Sequence, residues 1–339
     1  MLEIENRTPF EIAVAPSQNK EGRDYAVIVV KGTFEIKKGE ESLSAAEAQA
    51  PIVWGDEHYG EPGLSSVKYE ADVFPSKKGT DVALIGSAYT RKGTDRSVDV
   101  SLQVGPLRKS VRVFGDRHWR KSIGSWKPTD PAPFERMPLV YERAFGGRDP
   151  SDPDPARHGY EKRNPVGAGF SVSGSKERLE GLPLPNLEDP KNLIGGWKDK
   201  PAPAGFGFIG RDWAPRVNYA GTYDEAWQKK RCPLLPDDFD ETYYNGASPD
   251  LVGRPYFKGG EAVRITNASK EGELSFNLPK RSIDATVWIK GKETLHHLSL
   301  DTVIIAPDEK KTILVWRATV PCFRQFLYIN KVKVKERSS

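Results

Sequence analysis

The chain has 339 residues, enough for one large domain or two and for a substantial buried core. Its 51 basic and 47 acidic residues nearly balance, leaving a formal net charge of +4, which argues against a dedicated nucleic-acid binder, whose charge clusters. Mean hydropathy is −0.59 and no apolar run approaches the ~18 residues of a membrane span, so neither nucleic acid nor membrane is an expected partner.

The first part of the chain reads as β. Residues 25–36 (YAVIVVKGTFEI) and 81–90 (DVALIGSAYT) are apolar runs rich in β-branched residues. Residues 97–104 alternate: Val98, Val100, Leu102 and Val104 face one way, Asp99, Ser101 and Gln103 the other, as in a half-buried strand. GPLRK at 105–109 then turns the chain into a returning strand at 110–114. Helix signals are weak. Residues 44–50 are alanine-rich without an apolar stripe, and 175–179 and 223–230 offer one or two turns each.

Residues 128–255 hold 18 of the 27 prolines, together with Trp197, Trp213 and Trp227. Proline fixes φ and donates no hydrogen bond, so this segment is neither a regular helix nor an interior strand. Solvated linkers are poor in aromatics and this segment is rich in them, so it reads as a long, ordered, irregular region wrapped on the β body. Strand patterns resume at 261–266, 273–278, 285–290, 298–305 and 312–320. The basic tail KVKVKER at 331–337 reads as a solvated terminus. The expected fold is mainly β, a sandwich- or barrel-like antiparallel body with a proline-, glycine- and aromatic-rich irregular region. It forms either a single domain over 1–339 or two packed β lobes, 1–127 and 256–330, joined through 128–255.

Few residues point to catalysis. Asp237, Asp238, Asp240 and Glu241 cluster in LLPDDFDE, where Asp after Pro236 fits a turn or helix cap better than a cation site. His296 and His297 would face opposite sides of a strand, and Asp116 near His118 fits a turn better than an acid–base pair. Cys232 and Cys322 lack zinc or redox spacing, and the opening MLEIENRTPF shows no signal-peptide core. The expectation is a protein of the reducing cytoplasm with no catalytic residue, metal or cofactor. Arginines beside aromatics recur instead; Trp, Tyr and Arg dominate protein-interface hot spots, while for each residue taken singly a buried arginine satisfying loop carbonyls is the competing reading. The candidate pool for partner binding is Trp119, Arg143, Phe145, Trp213, Arg216, Tyr219 and Trp227.

The phrases VVKGTF (29–34), DV…KKGTDVALIGSA (72–88), VFGDR (113–117), MPLVYERAFGG (137–147), NPVGAGF (164–170), LPN (184–186), PAGFG (203–207), WAPR (213–216), AGTYDEAW (220–227), LLPDDFD (234–240) and GGE (259–261) occur in that order. Together they resemble a bacterial domain family, long labelled as of unknown function, whose genes lie in type VI secretion clusters beside toxic effectors and spike proteins. The resemblance implies a non-enzymatic adaptor or chaperone that binds a secreted effector and helps load it onto the spike protein. The alternatives are a hydrolase-type enzyme on a polar substrate, drawing on Asp116, His118, Asp237, Asp238 and Glu261, and a structural component of the secretion particle.

Overall fold

The structure is a computed structural model that describes residues 2–37, 39–75, 77–322 and 326–337. Its principal strands, in chain order, are β1 (Glu3–Asn6), β2 (Glu11–Gln18), β3 (Asp24–Glu35), β4 (Thr80–Leu84), β5 (Ser97–Val104), β6 (Leu107–Phe114), β7 (Ala262–Thr266), β8 (Leu274–Asn277), β9 (Ile283–Ile289), β10 (Lys292–His297), β11 (Ser299–Ala306), β12 (Lys311–Pro321) and β13 (Ile329–Glu336). The helices α1 (Lys176–Leu179) and α2 (Glu225–Lys230) are both short.

The largest sheet has the order Val252–Gly253, β4, β11, β12, β3, β2, with Ser44–Ala45 pairing β3. Its pairs are antiparallel except β4 with β11. A five-stranded sheet runs Leu187–Glu188, β6, β5, β7, β8, and a four-stranded sheet runs β1, β13, β9, β10. The expected mainly β fold is therefore what the chain adopts. The sheets stay open, so the barrel alternative falls away and the sandwich-like one remains. Each of these three sheets combines strands from both ends of the chain.

Burial explains the two strand patterns. β3 and β12 lie in the middle of the large sheet and are covered on both faces, so their sequences are continuous apolar runs. Ile28, Val30, Phe34, Leu314 and Trp316 face the core shared with the five-stranded sheet. Val27, Val29, Ile313 and Val315 face a second core, closed by Val67 and Phe208. β5 is covered on one face only, with Val100, Leu102 and Val104 inside and Asp99 and Gln103 outside, hence its alternation.

Several boundaries differ from expectation. The run at 81–90 is two strands, β4 and Ser87–Tyr89, interrupted at Gly86. Residues 44–50 form no helix; Ser44–Ala45 extends along β3. The turn after β5 is tighter than 105–109, because Gly105 at φ +54° lets Leu107 pair Val104 directly. The tail expected to be solvated is β13. Val332 and Val334 are buried, while Lys331 and Lys333 face Glu3 and Glu5 of β1 across a parallel ladder. Its Val–Lys alternation is a strand pattern that a basic composition concealed.

The irregular region packs against the β body at many points. It supplies edge strands to both larger sheets and buries Tyr141, Phe145, Phe206, Phe208 and Trp213. The double glycine of YERAFGG exists for close approach. Gly147 has φ +99°, and a Cβ there would overlap the Gly167 carbonyl oxygen.

Candidate binding surface

The structure separates the seven residues of the partner-binding pool. Trp119 and Phe145 are buried together with Leu179, Leu184 and Ile194 in a satellite core. Trp213 is buried edge-on against Tyr141, ring centroids 5.7 Å apart. Arg216 is buried, donating to the carbonyls of Tyr243 and Ile209 at 2.8 Å each. These four side chains are scaffold and offer no surface to a partner in this structure. Arg143 is half-buried, Trp227 half-buried and Tyr219 36% exposed, so the surface they offer lies in two places.

Arg216 belongs to an ionic network that sequence reasoning missed. Asp81 of β4, Asp301 of β11, Arg317 of β12 and Lys31 of β3 come from four adjacent strands. Glu70, Asp72 and Lys77 cover them from the segment before β4, and Arg216 arrives from the irregular region. Lys77 Nζ lies 2.5 Å from Asp81 and 3.1 Å from Glu70; Arg216 lies 2.5 Å from Glu70; Lys31 lies 2.8 Å from Asp72. Arg317 pairs with Asp301 and donates to the Asp72 carbonyl at 2.8 Å. Asn245 donates to Asp81 at 2.8 Å, and the Gly246 N–H donates to the same carboxylate.

Four cations face four anions, all buried, which is the condition under which buried charge is tolerated. Burial works against the Glu70 carboxylate, but Arg216, Lys77 and Arg211 outweigh it and hold its pKa at about 2. Burial alone would lower Lys77; Asp81 and Glu70 raise it above the ordinary lysine value. Asp301 is pushed up by burial against the pull of Arg317 and Lys77. The Phe74 ring caps the cluster, with the Arg317 guanidinium 4.5 Å and the Lys77 ammonium 5.2 Å from its centroid.

The first surface is built on this scaffold. Beyond Arg216 the chain makes a 3-10 turn, Arg216–Tyr219, then α2, whose N-cap Asp224 accepts from the Trp227 N–H at 2.8 Å. Trp227 meets Tyr223 edge-on at 4.7 Å and donates from its indole to the Leu234 carbonyl at 2.9 Å. Val217, Tyr219 and Tyr223 are exposed on the same segment. The acidic cluster that follows is structural. Asp238 accepts from the Thr222 N–H and hydroxyl, Asp237 meets Arg231, and Asp240 caps Glu241–Tyr244 while binding Lys78 at 2.8 Å. Between this segment and the turn at 18–25 lies a cavity of about 340 Å³, lined by Tyr25, Phe239 and Tyr244 and by Glu21 and Glu241.

The second is an open cleft of about 840 Å³ that contains Arg143, Asp116 and His118. Asn186 ties it together, accepting from Arg143 at 2.9 Å and donating to Asp116 at 3.0 Å. Among the described residues, no hydrogen bond joins Asp116 to the His118 ring. Glu261 accepts from the Lys258 N–H in its own turn. The residues of the enzyme reading are thus dispersed: Asp116 and His118 share this cleft without a bond, and Asp237, Asp238 and Glu261 hold loops elsewhere. Among the described residues, no three His, Cys, Asp or Glu side chains come together to hold a metal ion, and no helix is long and apolar enough to cross a membrane.

Residues 21–317 match the model of a family described as an uncharacterized protein conserved in bacteria, DUF2169. The chain belongs to this family. No curated protein and no solved structure matches it. The DUF2169 region contains the whole ionic network, from Lys31 to Arg317, and the aromatic surface at 217–244; β1 and β13 lie outside it. Phrases of this chain's sequence also gain a physical meaning. VVKGTF carries Lys31, KKGTDVALIGSA carries Lys77 and Asp81, and WAPR carries Arg216, so they name the points at which distant segments are ionically joined. A signal for this was present: a lysine or aspartate inside an otherwise apolar strand run demands a buried partner.

Proposed function

We propose that the protein is a non-enzymatic adaptor or chaperone of the bacterial cytoplasm, which binds a secreted effector of a type VI secretion system and assists its loading onto the spike protein. The observation that carries the binding reading is a set of surface aromatics, the exposed Tyr219 and Tyr223 and the half-buried Trp227 that meets Tyr223, on a segment that Arg216 pins to the buried network. Rigid aromatic anchors give large contact area at little entropic cost, which is what an interface hot spot requires. The secretion context rests on the resemblance carried by the ordered phrases of the sequence.

The test is a pull-down of the effector encoded in the neighbouring gene. Tyr223→Ala and Trp227→Ala, checked for native circular dichroism, should each weaken capture by ~2 kcal/mol or more if they are hot spots. Capture unchanged by both, and by Tyr219→Ala, removes this surface from the reading. Turnover of a defined polar substrate, abolished by Asp116→Asn or His118→Ala, would replace it with the enzyme reading.

A further inference from the structure

We propose that the cavity between the 18–25 turn and residues 235–244 binds the cationic end of an alkylguanidinium or alkylammonium group. The inference extends to ligand chemistry and stands apart from the adaptor reading, because it concerns the cavity itself.

The cavity combines two recognition elements. Its apolar wall is aromatic: Phe239 and Tyr244 lie 5.5 Å apart, and Tyr244 stacks at 5.9 Å on Phe74, the ring that caps the ionic network. Its polar wall sets Glu21, Asp240 and Glu241 against Lys20 and Lys78, one negative charge in excess. Asp240 is committed to Lys78 and to its own cap, and Lys20 is turned to the Asp237 carbonyl at 3.0 Å. Among the described residues, the carboxylates of Glu21 and Glu241 have no ion-pair or hydrogen-bond partner. Aromatic faces with free carboxylates attract ammonium and guanidinium groups through the ring quadrupole and charge-assisted hydrogen bonds.

The tyrosines report the same local field. Burial raises the Tyr25 hydroxyl, and Glu241 and Glu21 raise it further. Burial likewise raises Tyr244 to about 12, with Tyr25 and Glu241 adding to it. The burial share of these shifts disfavours charge of either sign; the Glu241 and Glu21 share is the one that favours a positive charge. The walls are also fixed in place. The Asn19 side chain accepts the N–H groups of Glu21 and Arg23 at 3.0 and 2.8 Å, and Arg231 donates to the Lys20 carbonyl at 2.6 Å. A pre-formed site loses little entropy on binding.

The experiment titrates the full chain with ethylguanidinium chloride and with the peptide Gly-Arg-Gly-amide, at constant ionic strength, followed by saturation-transfer NMR. Saturable binding of both is expected, weakened about tenfold or more in Glu241→Gln, the scale of a hydrogen bond to a charged group. Tighter binding of the peptide assigns the ligand to a polypeptide side chain; tighter binding of ethylguanidinium assigns it to a free small molecule. No saturable signal above a sodium chloride control overturns the proposal. So does binding unchanged in the Glu21→Gln/Glu241→Gln double variant, whose two exposed positions leave the fold intact, or equal saturable binding of glucose. Trp227→Ala serves as the separating control. It should retain the probe while losing the effector, so failure of the cavity and failure of the adaptor reading give different results.

Discussion

Arg216 and Glu70 meet 2.5 Å apart inside the molecule, with 3% and 4% of their side chains exposed. One comes from the irregular region and the other from the segment before β4, so this contact fastens the proline-rich wrap to the sheet. Asn245 repeats the attachment through Asp81. The wrap is therefore held by paired buried charge as well as by apolar packing.

Removing one member of the network strands the others. Arg216→Met should destabilise the protein by ~3–5 kcal/mol, the scale for breaking a buried ion pair from one side. The measurement is urea unfolding. A loss below ~1 kcal/mol would mean that water or rearrangement satisfies Glu70 without the arginine.

Acid should unfold the protein through Glu70. Its folded pKa of about 2 lies below its ordinary 4.5, so its contribution is present above pH 4.5 and is lost as pH falls from there toward 2. Asp301 has the opposite sign: its pKa is raised, so protonating it on acidification removes an unfavourable buried charge. Unfolding midpoints between pH 6 and 3 should therefore fall in the native protein and fall less steeply in Glu70→Gln. Parallel curves would assign the acid limb to other carboxylates.

Gly147→Ala should cost about 1–3 kcal/mol, because φ +99° strains any L-residue and the new methyl meets the Gly167 backbone. Gly63→Ala is the control. It shares the positive φ, at +79°, but a Cβ there meets nothing. Thermal melts should rank Gly147→Ala as the more destabilised of the two.

Trp213 and Tyr219, six residues apart, should behave differently. Trp213→Ala opens a cavity beside Tyr141 and should cost ~3–5 kcal/mol. Tyr219→Ala removes a partly exposed ring and should change stability by no more than ~0.5 kcal/mol. Equal losses in denaturant titrations would show that Tyr219 is core in solution.

The two cysteines give a direct check on packing. Cys232 is exposed and Cys322 is buried, so a thiol reagent should label one site in the native protein and two after unfolding. Rapid labelling of both under native conditions would show that the end of β12 opens.

Much of this was legible in the sequence because strand patterns are local. Alternation at 97–104 gave β5 to the residue, and the apolar runs at 25–36 and 312–320 gave the buried strands β3 and β12. The aromatic density of 128–255 correctly marked an ordered wrap, and Asp after Pro236 correctly read as turn and cap chemistry. Which arginine–aromatic neighbours reach the surface was not legible. Arg143 and Arg216 have similar surroundings in sequence, yet one lines a cleft and the other is sealed inside. The difference is set by partners far along the chain. Glu70 reaches Arg216 across 146 positions, and the Asp72 carbonyl reaches Arg317 across 245. Periodicity tells which way a side chain points from its own strand. Whether a charge is buried, exposed or neutralised depends on what the topology brings opposite it, and only the tertiary structure decides that.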